Sequence, residues 1–233
     1  MLFRSIPVTP SRLARDAEEA VRFAAECGFP VVMKVSSPAI VHKTDVGAVL
    51  LGVSNVQDAR AAYGRLLDVA ATAAPDAEVH GILVQKQISG GREMIAGISR
   101  DPLFGPVVMF GLGGIFVEVL RDVVFRLAPI DEREAAAMVA GLRGARLLTG
   151  VRGQKACDVG ALEDALRRLS QLAVDFPEIT EVDVNPLLAF EHGAVAVDAR
   201  VVLAGDVGKA AGGPLKRRVR RGGRAAPRGA GAR

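Results

Sequence analysis

The chain has 233 residues, of which 50% are hydrophobic and 4% aromatic, and its formal net charge is +4. This size suffices for one large domain or two smaller lobes with packed cores. No apolar run approaches the roughly 20 residues of a membrane span, and the first residues lack the apolar region of a secretory signal. The two cysteines, Cys27 and Cys157, lie far apart without metal-ligand spacing. These features predict a cytoplasmic protein without a membrane partner.

The positive charge is concentrated at the C-terminus. Residues 205–233 contain nine Lys or Arg residues and one acidic residue, so they carry +8 and leave −4 on residues 1–204. This segment has almost no large apolar side chains, so we expect a disordered tail. Arginine-rich tails can attract nucleic acid, but without interleaved aromatic residues a solvated extension is the favoured interpretation. We therefore expect no nucleic-acid partner.

The hydrophobic pattern predicts an α/β (α+β) chain with two lobes. In the first lobe, residues 1–86, we predict strands over 6–9, 29–35, 46–53 and 79–84, with helices capped by Asp16 and Asn55. Residues 85–91 form a predicted connector. In the second lobe, residues 87–204, we predict strands over 93–98, 106–110, 123–127, 180–184 and 194–202, with helices capped by Asp131 and Asp158.

A strand–loop–strand over residues 29–53 is the first candidate site. The first strand carries Lys34, and the loop carries His42, Lys43 and Asp45. A neutral imidazole can attack phosphorus, and neighbouring charges can set its tautomer. The stretch therefore predicts a place where a phosphoryl group is handled.

A glycine-rich turn follows the predicted strand at 106–110. Gly111, Gly113 and Gly114 could let backbone N–H groups approach a phosphate. The turn is neither a P-loop nor a complete dinucleotide fingerprint. Local chemistry alone favours a tight structural turn.

Oxygen-bearing side chains recur on the last predicted strands. Because alternate residues of a strand share a face, Glu181, Asp183 and Asn185 should point the same way, and Asp198 on the next strand can join them. Such hard oxygen donors suit Mg²⁺, although a solvated sheet face would have the same pattern. His80 and His192 lie near element ends, and we interpret both as surface residues.

Five motifs in fixed order resemble one known family. They are Phe-Pro-Val-Val-Met-Lys-Val (29–35), His-Lys-Thr-Asp-Val-Gly (42–47), Gly-Gly-Arg-Glu-Met-Ile-Ala-Gly (90–97), the run from Arg100 through Gly-Leu-Gly-Gly to Glu118, and Glu-Val-Asp-Val-Asn-Pro-Leu (181–187). Together they resemble the ATP-grasp β subunit, or β region, of the ADP-forming acetate–CoA ligases. The resemblance extends from about Ile6 to Leu203.

The resemblance implies an ATP-grasp fold, with two α/β lobes around a nucleotide cleft, and a role for each matching residue. Lys34 would contact ATP phosphates, and His42 would relay the phosphoryl group. The remaining nucleotide contacts would come from Val84, Gln85, Lys86 and Gln87 near adenine, Glu93 near the ribose, and Gly111, Gly113 and Gly114 near the phosphates. The Mg²⁺ ligands would be Asn185 and Asp198, assisted by Asp183.

The implied reaction is acyl-CoA + ADP + phosphate ⇌ carboxylate + CoA + ATP, with ATP/ADP and Mg²⁺ as cofactors. Nothing in the chain resembles a CoA-binding domain, so the resemblance also implies a CoA-binding α subunit, in an assembly such as α2β2. The acyl group and the choice of ADP or GDP stay open. The alternatives are a catalytically silent nucleotide-sensing module of an acyltransferase assembly, an ATP-grasp ligase acting on an amine, and a truncated fragment. The relay histidine argues against the first two.

Overall fold

The computed structural model describes residues 6–40, 43–114, 121–150 and 155–205. The strands within these ranges are β1 (Ser11–Ala14), β2 (Val31–Ser36), β3 (Val49–Val53), β4 (Gly81–Lys86), β5 (Arg92–Asp101), β6 (Gly105–Leu112), β7 (Val123–Leu127), β8 (Ile179–Ala189), β9 (Ala194–Ala196) and β10 (Ala199–Leu203). The α-helices are α1 (Ala17–Cys27), α2 (Val56–Ala73), α3 (Glu132–Ala140) and α4 (Val159–Asp175). None of these helices is long and apolar enough to cross a membrane.

The first sheet has the strand order β1-β4-β2-β3 and is antiparallel throughout. Helices α1 and α2 pack on one face, where Met33, Leu66 and Ile82 are fully buried. Because side chains alternate along a strand, Lys34 and Ser36 of β2 point to the opposite face. The helix layer therefore buries one face of the sheet and leaves Lys34 on the other.

The second sheet has the order β10-β8-β5-β6-β7, with β9 also paired to β8. Helices α3 and α4 cover one face, where Ile98, Phe110 and Val182 belong to the core. The same alternation places Glu181 and Asp183 of β8 on the uncovered face. The predicted α/β (α+β) class is confirmed, with two antiparallel sheets and their helices.

The predicted helix caps are present. Asp131 and Glu134 form a complete capping box, with Asp131 Oδ1 accepting from the Glu134 N–H at 2.8 Å. Asp16, Asn55 and Asp158 each accept a hydrogen bond from a backbone N–H in the first turn of their helix. Local sequence therefore sets where these four helices of the described ranges begin.

Two predicted strands are wrong. Residues 6–9 do not form a strand: Val8 makes only an isolated bridge to Ala196, because Pro7 and Pro10 lack the N–H that a ladder needs. The predicted strand 194–202 is divided into β9 and β10, which pair with different halves of β8 on either side of Pro186. The break leaves Asp198 in the short link between them.

Several strand bounds also differ from those predicted. β4 ends at Lys86, so the connector begins at residue 87 rather than 85, and β8 continues to Ala189 rather than ending at residue 184. The division into lobes at residue 86 stays a prediction, as does the tail, since residues 206–233 lie outside the described ranges.

Candidate functional site

Lys34 and Asp198 form an ion pair between the two sheets. Lys34 Nζ lies 3.1 Å from Asp198 Oδ2. The lysine is only 8% exposed, and the aspartate is more than half exposed at the cleft. A buried ammonium group needs a partner because desolvation is costly. The fold thus brings together two residues that the sequence separates by 164 positions.

The segment Ala196–Asp198 is held by two further buried polar side chains. Thr9 Oγ1 donates to the Ala196 carbonyl at 3.3 Å, and Gln85 Nε2 donates to the Val197 carbonyl at 2.6 Å. Thr9 and Gln85 are 2% and 5% exposed. Buried polar groups that are fully paired fix a local conformation. These contacts therefore position Asp198 relative to the first sheet.

A cleft of about 270 Å³ opens beside this ion pair. Its walls include the end of β2, the loop residue Lys43 and His80, which precedes β4. The His80 N–H donates to the Ser36 carbonyl at 2.8 Å and ties this part of the chain to β2. His80, which is exposed as the sequence predicted, therefore also lines the candidate site.

Asp183 is the half-buried carboxylate of the site. Burial raises the pKa of its carboxyl above the ordinary value, and the nearby Glu181 and Asp198 carboxylates raise it further, whereas Arg200 lowers it. Arg200 also forms an ion pair with Glu181, with 2.5 Å between Nη2 and Oε1. Burial is thus the main reason why the Asp183 carboxyl ionises less readily than an exposed aspartate.

Asn185 lies next to Asp198, because its N–H donates to the Asp198 carbonyl at 3.1 Å. Asp183, Asn185 and Asp198 thus belong to one region, as the sequence predicted. Among the described residues, no group of three or more His, Cys, Asp or Glu side chains could hold a metal. Any cation here would have to use the Asn185 amide oxygen together with the two carboxylates, a donor set that Mg²⁺ accepts.

The glycine-rich turn packs tightly against its neighbours. A Cβ on Gly111 would lie 2.8 Å from the Asp122 carbonyl oxygen, and one on Gly113 would lie 2.8 Å from the Glu93 carbonyl carbon. The Gly113 N–H donates to the Glu93 carbonyl at 2.7 Å. Gly114 has φ +61°, and a Cβ there would meet Glu93 Oε2. The turn therefore brings Glu93 and the glycines together, and packing alone explains Gly111 and Gly113.

Residues 84–87, which were predicted to meet adenine, use part of their hydrogen-bonding capacity on residues that precede β1 and β2. The Lys86 N–H donates to the Pro10 carbonyl and the Gln87 N–H to the Pro30 carbonyl. Lys86 Nζ donates to the carbonyls of Gly28 and Phe29 at the end of α1. Val84 is fully buried in the first core. Any contact from residues 84–87 to adenine would therefore have to use groups other than the N–H donors of Lys86 and Gln87.

His42 lies outside the described residues, so its predicted place in the site stays a prediction. The structure does describe Lys43, whose carbonyl accepts from the Ala48 N–H at 2.7 Å. The hydrogen bond from Val35 N–H to the Ala48 carbonyl then joins this loop to β2. The residue that follows His42 is thereby held beside the Lys34 cleft.

Sequence reasoning missed the positions of His80 and the Gln85 side chain. Both depend on β2 pairing with β4, in which Lys34 is opposite Leu83. That register, once known, places the start of β4 next to Ser36. The one sequence signal for a specific buried partner of Gln85 is its position directly after the apolar run 82–84.

The chain was compared with protein families and with known proteins. Residues 4–203 match the model of the ATP-grasp domain. The chain is 46% identical over 198 residues to the "Acetate--CoA ligase [ADP-forming] I subunit beta" of Pyrococcus furiosus, covering 85% of both chains. It is also 48% identical over 202 residues to "Acetate--CoA ligase [ADP-forming] I" of Archaeoglobus fulgidus, covering 87% of this chain but only 29% of that longer protein.

Solved structures agree with this assignment. The acetyl-coenzyme A synthetase 1 of Ca. Korarchaeum cryptofilum, in complex with coenzyme A, Ca-AMPCP and HgCl+, superposes with a TM-score of 0.83 at 48% identity, covering 85% of this chain and 87% of that one. The same protein with coenzyme A and Mg-AMPPCP, its phosphohistidine segment pointing towards the nucleotide-binding site, gives 0.76 at 45% identity over 86% of each chain. The chain therefore belongs to the ATP-grasp family and, within it, to the β-subunit type of the ADP-forming acetate–CoA ligases.

Proposed function

We propose that this chain is the nucleotide-binding subunit of an ADP-forming acyl-CoA synthetase, which converts acyl-CoA, ADP and phosphate to carboxylate, CoA and ATP. The observation that carries the proposal is the pairing of Lys34 with Asp198 across the cleft. A nucleotide polyphosphate needs a cation to bind its phosphates, and its metal ion needs carboxylate ligands. Lys34 and the carboxylates opposite it provide both. The identity to a β subunit named for this activity supports the same conclusion.

Lys34 would bind phosphate oxygens of ATP or ADP. Phosphoryl transfer depends mainly on positioning and on neutralising charge, rather than on acid–base chemistry by the protein. Lys34 is suited to this because β2 and the surrounding core fix its position. Glu93, beside Gly113 and Gly114, would contact the ribose, and the turn would contact the phosphates.

Mg²⁺ would be held by Asp183, Asn185 and Asp198. These residues fit the ion because they provide hard oxygen donors. Burial is the main cause of the raised pKa of Asp183, and the nearby Glu181 and Asp198 carboxylates add a repulsion that a cation would relieve. When bound, Mg²⁺ would neutralise phosphate charge during transfer. This chain's own contribution is to keep the donors together, through the Asn185–Asp198 backbone hydrogen bond and the Gln85 contact to Val197.

His42 would carry the phosphoryl group between the nucleotide and the acyl-CoA site. The proposal rests on its place in the His-Lys-Thr-Asp loop and on the phosphohistidine segment of the Korarchaeum protein. The acyl-CoA site would belong to a CoA-binding partner, with α2β2 as the proposed assembly. A silent nucleotide sensor would need no phosphoryl carrier, and no observation favours that alternative.

Nucleotide binding tests the proposal directly. Mg-ADP should bind the wild-type chain, and the Asn185→Ala/Asp198→Ala double variant should lose Mg²⁺-dependent binding in calorimetric titrations. Substitution of His192, which lies in the turn between β8 and β9, serves as the matched control and should leave binding unchanged. Equal Mg-ADP affinity of the double variant and the wild type would reject this metal assignment.

A further inference from the structure

A groove of about 280 Å³ lies between strand β1 and helix α1. It has no residue in common with the cleft beside Lys34. Its walls are formed by Arg12, Leu13, Arg15, Glu19 and Arg22. We propose that this groove, called here the β1 groove, binds an extended acidic segment of a partner protein, which pairs with the edge of β1.

Strand β1 presents an open backbone edge to the groove. It is the last strand of its sheet, and among the described strands only β4 pairs with it. The Pro10 carbonyl, just before β1, accepts from the Lys86 N–H of β4 at 3.0 Å. Because bonded and non-bonded pairs alternate in an antiparallel ladder, the backbone of Arg12 faces β4 and that of Leu13 faces away. The Leu13 N–H and carbonyl are therefore available to an added strand.

The side chains around this edge carry an excess of positive charge. Arg15 and Arg22 are exposed, and neither makes an ion pair within the described ranges. The one carboxylate on the walls belongs to Glu19, and it already accepts from the Arg15 N–H at 2.8 Å. The two guanidinium groups are thus free to bind carboxylates of a ligand.

Arg12 is held in place for a similar contact. Its guanidinium carbon lies 4.7 Å from the centroid of the Phe23 ring, which belongs to the core under α1. Its ion pair with Glu26, at 3.3 Å, joins two side chains that are both more than half exposed, so the pair is weak. A guanidinium has five N–H donors in a planar fork, so donors of Arg12 remain for a second carboxylate.

The charge also decides which occupant fits. A second copy of this chain, paired to β1 through a two-fold axis, would bring its own arginines against these. Residues 205–233 of the same chain carry +8 and would be repelled as well. A nucleic acid offers phosphates but no peptide N–H and carbonyl groups to continue the sheet. An acidic peptide strand supplies both the backbone groups and the carboxylates.

The arginines would also exclude other strands. Charged side chains on an edge strand prevent pairing with the edges of unrelated proteins. In the β1 groove they do so for basic and neutral strands, whereas carboxylates turn the same charges into attraction. Arg12 lies opposite Val84, a core residue on the helix side of the sheet. Because alternate residues of a strand share a face, carboxylates at every second position of the segment would point to that side.

Titration of the full chain with synthetic peptides tests the proposal. The probe is a short peptide in which Glu alternates with Thr, and two control peptides have Gln in place of Glu or Pro in place of the central Thr. Because residues 205–233 would attract any acidic peptide, the readout must be local. We use the amide hydrogen exchange of Leu13, followed by nuclear magnetic resonance. The Glu–Thr peptide should slow this exchange saturably, because the Leu13 N–H then donates to the added strand, and the controls should not.

Arginine variants complete the test. Arg15→Gln and Arg22→Gln should each weaken the response about tenfold, as expected for a lost charge-assisted contact. Arg133→Gln, which changes an exposed arginine of α3, is the matched control and should leave the response unchanged.

The proposal is overturned if the Glu–Thr peptide leaves Leu13 exchange unchanged, or if either control peptide slows it as strongly. It is also overturned if Arg15→Gln and Arg22→Gln both respond as the wild type does. A single-stranded oligonucleotide that slows Leu13 exchange as strongly as the peptide would reject it in favour of a nucleic-acid site. None of these measurements uses nucleotide or Mg²⁺, so their outcome is independent of the proposed function.

Discussion

Lys34 Nζ and Asp198 Oδ2 lie 3.1 Å apart, so the proposed phosphate-binding lysine and a proposed metal ligand neutralise each other. A nucleotide that uses both must replace this ion pair by a lysine–phosphate contact and a carboxylate–metal contact. The exchange keeps each charge paired before and after binding, which lowers the cost of burying Lys34. Because the two residues are paired, a substitution of Lys34 should also affect metal binding at Asp198, and a substitution of Asp198 should also affect phosphate binding at Lys34.

Lys34→Gln should weaken Mg-ADP binding by roughly 10- to 100-fold, because a charge-assisted hydrogen bond to phosphate is lost. Titration calorimetry measures the effect. Lys155→Gln removes an exposed lysine that pairs with Glu191 and does not line the cleft, so it should have no effect. An unchanged affinity in Lys34→Gln would show that this lysine does not contact the nucleotide.

Asp198→Ala should have opposite effects on the two forms of the nucleotide. It removes a metal ligand and should weaken Mg-ADP binding, but it also frees Lys34 and should strengthen binding of metal-free ADP. The measurement compares titrations in Mg²⁺ and in EDTA. Parallel weakening under both conditions would contradict the exchange of partners described above.

Gln85→Leu should lower the free energy of unfolding by about 1–3 kcal/mol, because the Val197 carbonyl loses its buried donor. Gln87→Leu is the matched control. Gln87 Oε1 accepts from the Gly52 N–H at an exposed position, so its loss should cost less than about 1 kcal/mol. Urea unfolding measures the free energy of unfolding of both variants. Equal decreases would mean that the buried Gln85 contact stabilises the protein no more than the exposed Gln87 contact.

Gly111→Ala should destabilise the protein by about 1–3 kcal/mol, because the new methyl group would lie 2.6 Å from Val123 Cγ1 and 2.8 Å from the Asp122 carbonyl oxygen. Gly64→Ala tests the same substitution within α2, where no atom lies within 4 Å of the added carbon. It should stabilise the protein by about 0.5–1 kcal/mol. A neutral Gly111→Ala would remove the packing explanation for this glycine.

Asp158 should make stability depend on pH. The N–H groups of Gly193 and Ala161 bond its carboxylate and lower its pKa. Because the folded state favours the charged form, this stabilisation is complete above the unfolded pKa of about 3.9 and is lost as pH falls through the lowered folded pKa. Asp158→Ala should therefore cost about 1 kcal/mol at pH 7 and less at pH 3. A difference between wild type and variant that stays constant from pH 7 to 3 would contradict this assignment.

Local patterns predicted much of the fold, because helix caps and strand alternation depend on near neighbours. Asp131 with Glu134 and the face shared by Glu181 and Asp183 are examples. The break at Asp198 and the position of His80 were not predicted, because both depend on which strands pair and in what register. The grouping of Asp183, Asn185 and Asp198 could be predicted from sequence, whereas the Lys34–Asp198 pairing required the fold.

The proposed function depends above all on phosphoryl transfer from a nucleotide bound at Lys34 to His42. The most direct measurement incubates the chain with Mg²⁺ and ATP labelled at the terminal phosphate, then follows acid-labile label on the protein. We predict that wild-type protein is labelled, that His42→Ala is not, and that His192→Ala is labelled as wild type. Absence of label in the wild type with Mg-ATP bound, or label of equal yield in His42→Ala, would contradict the claim.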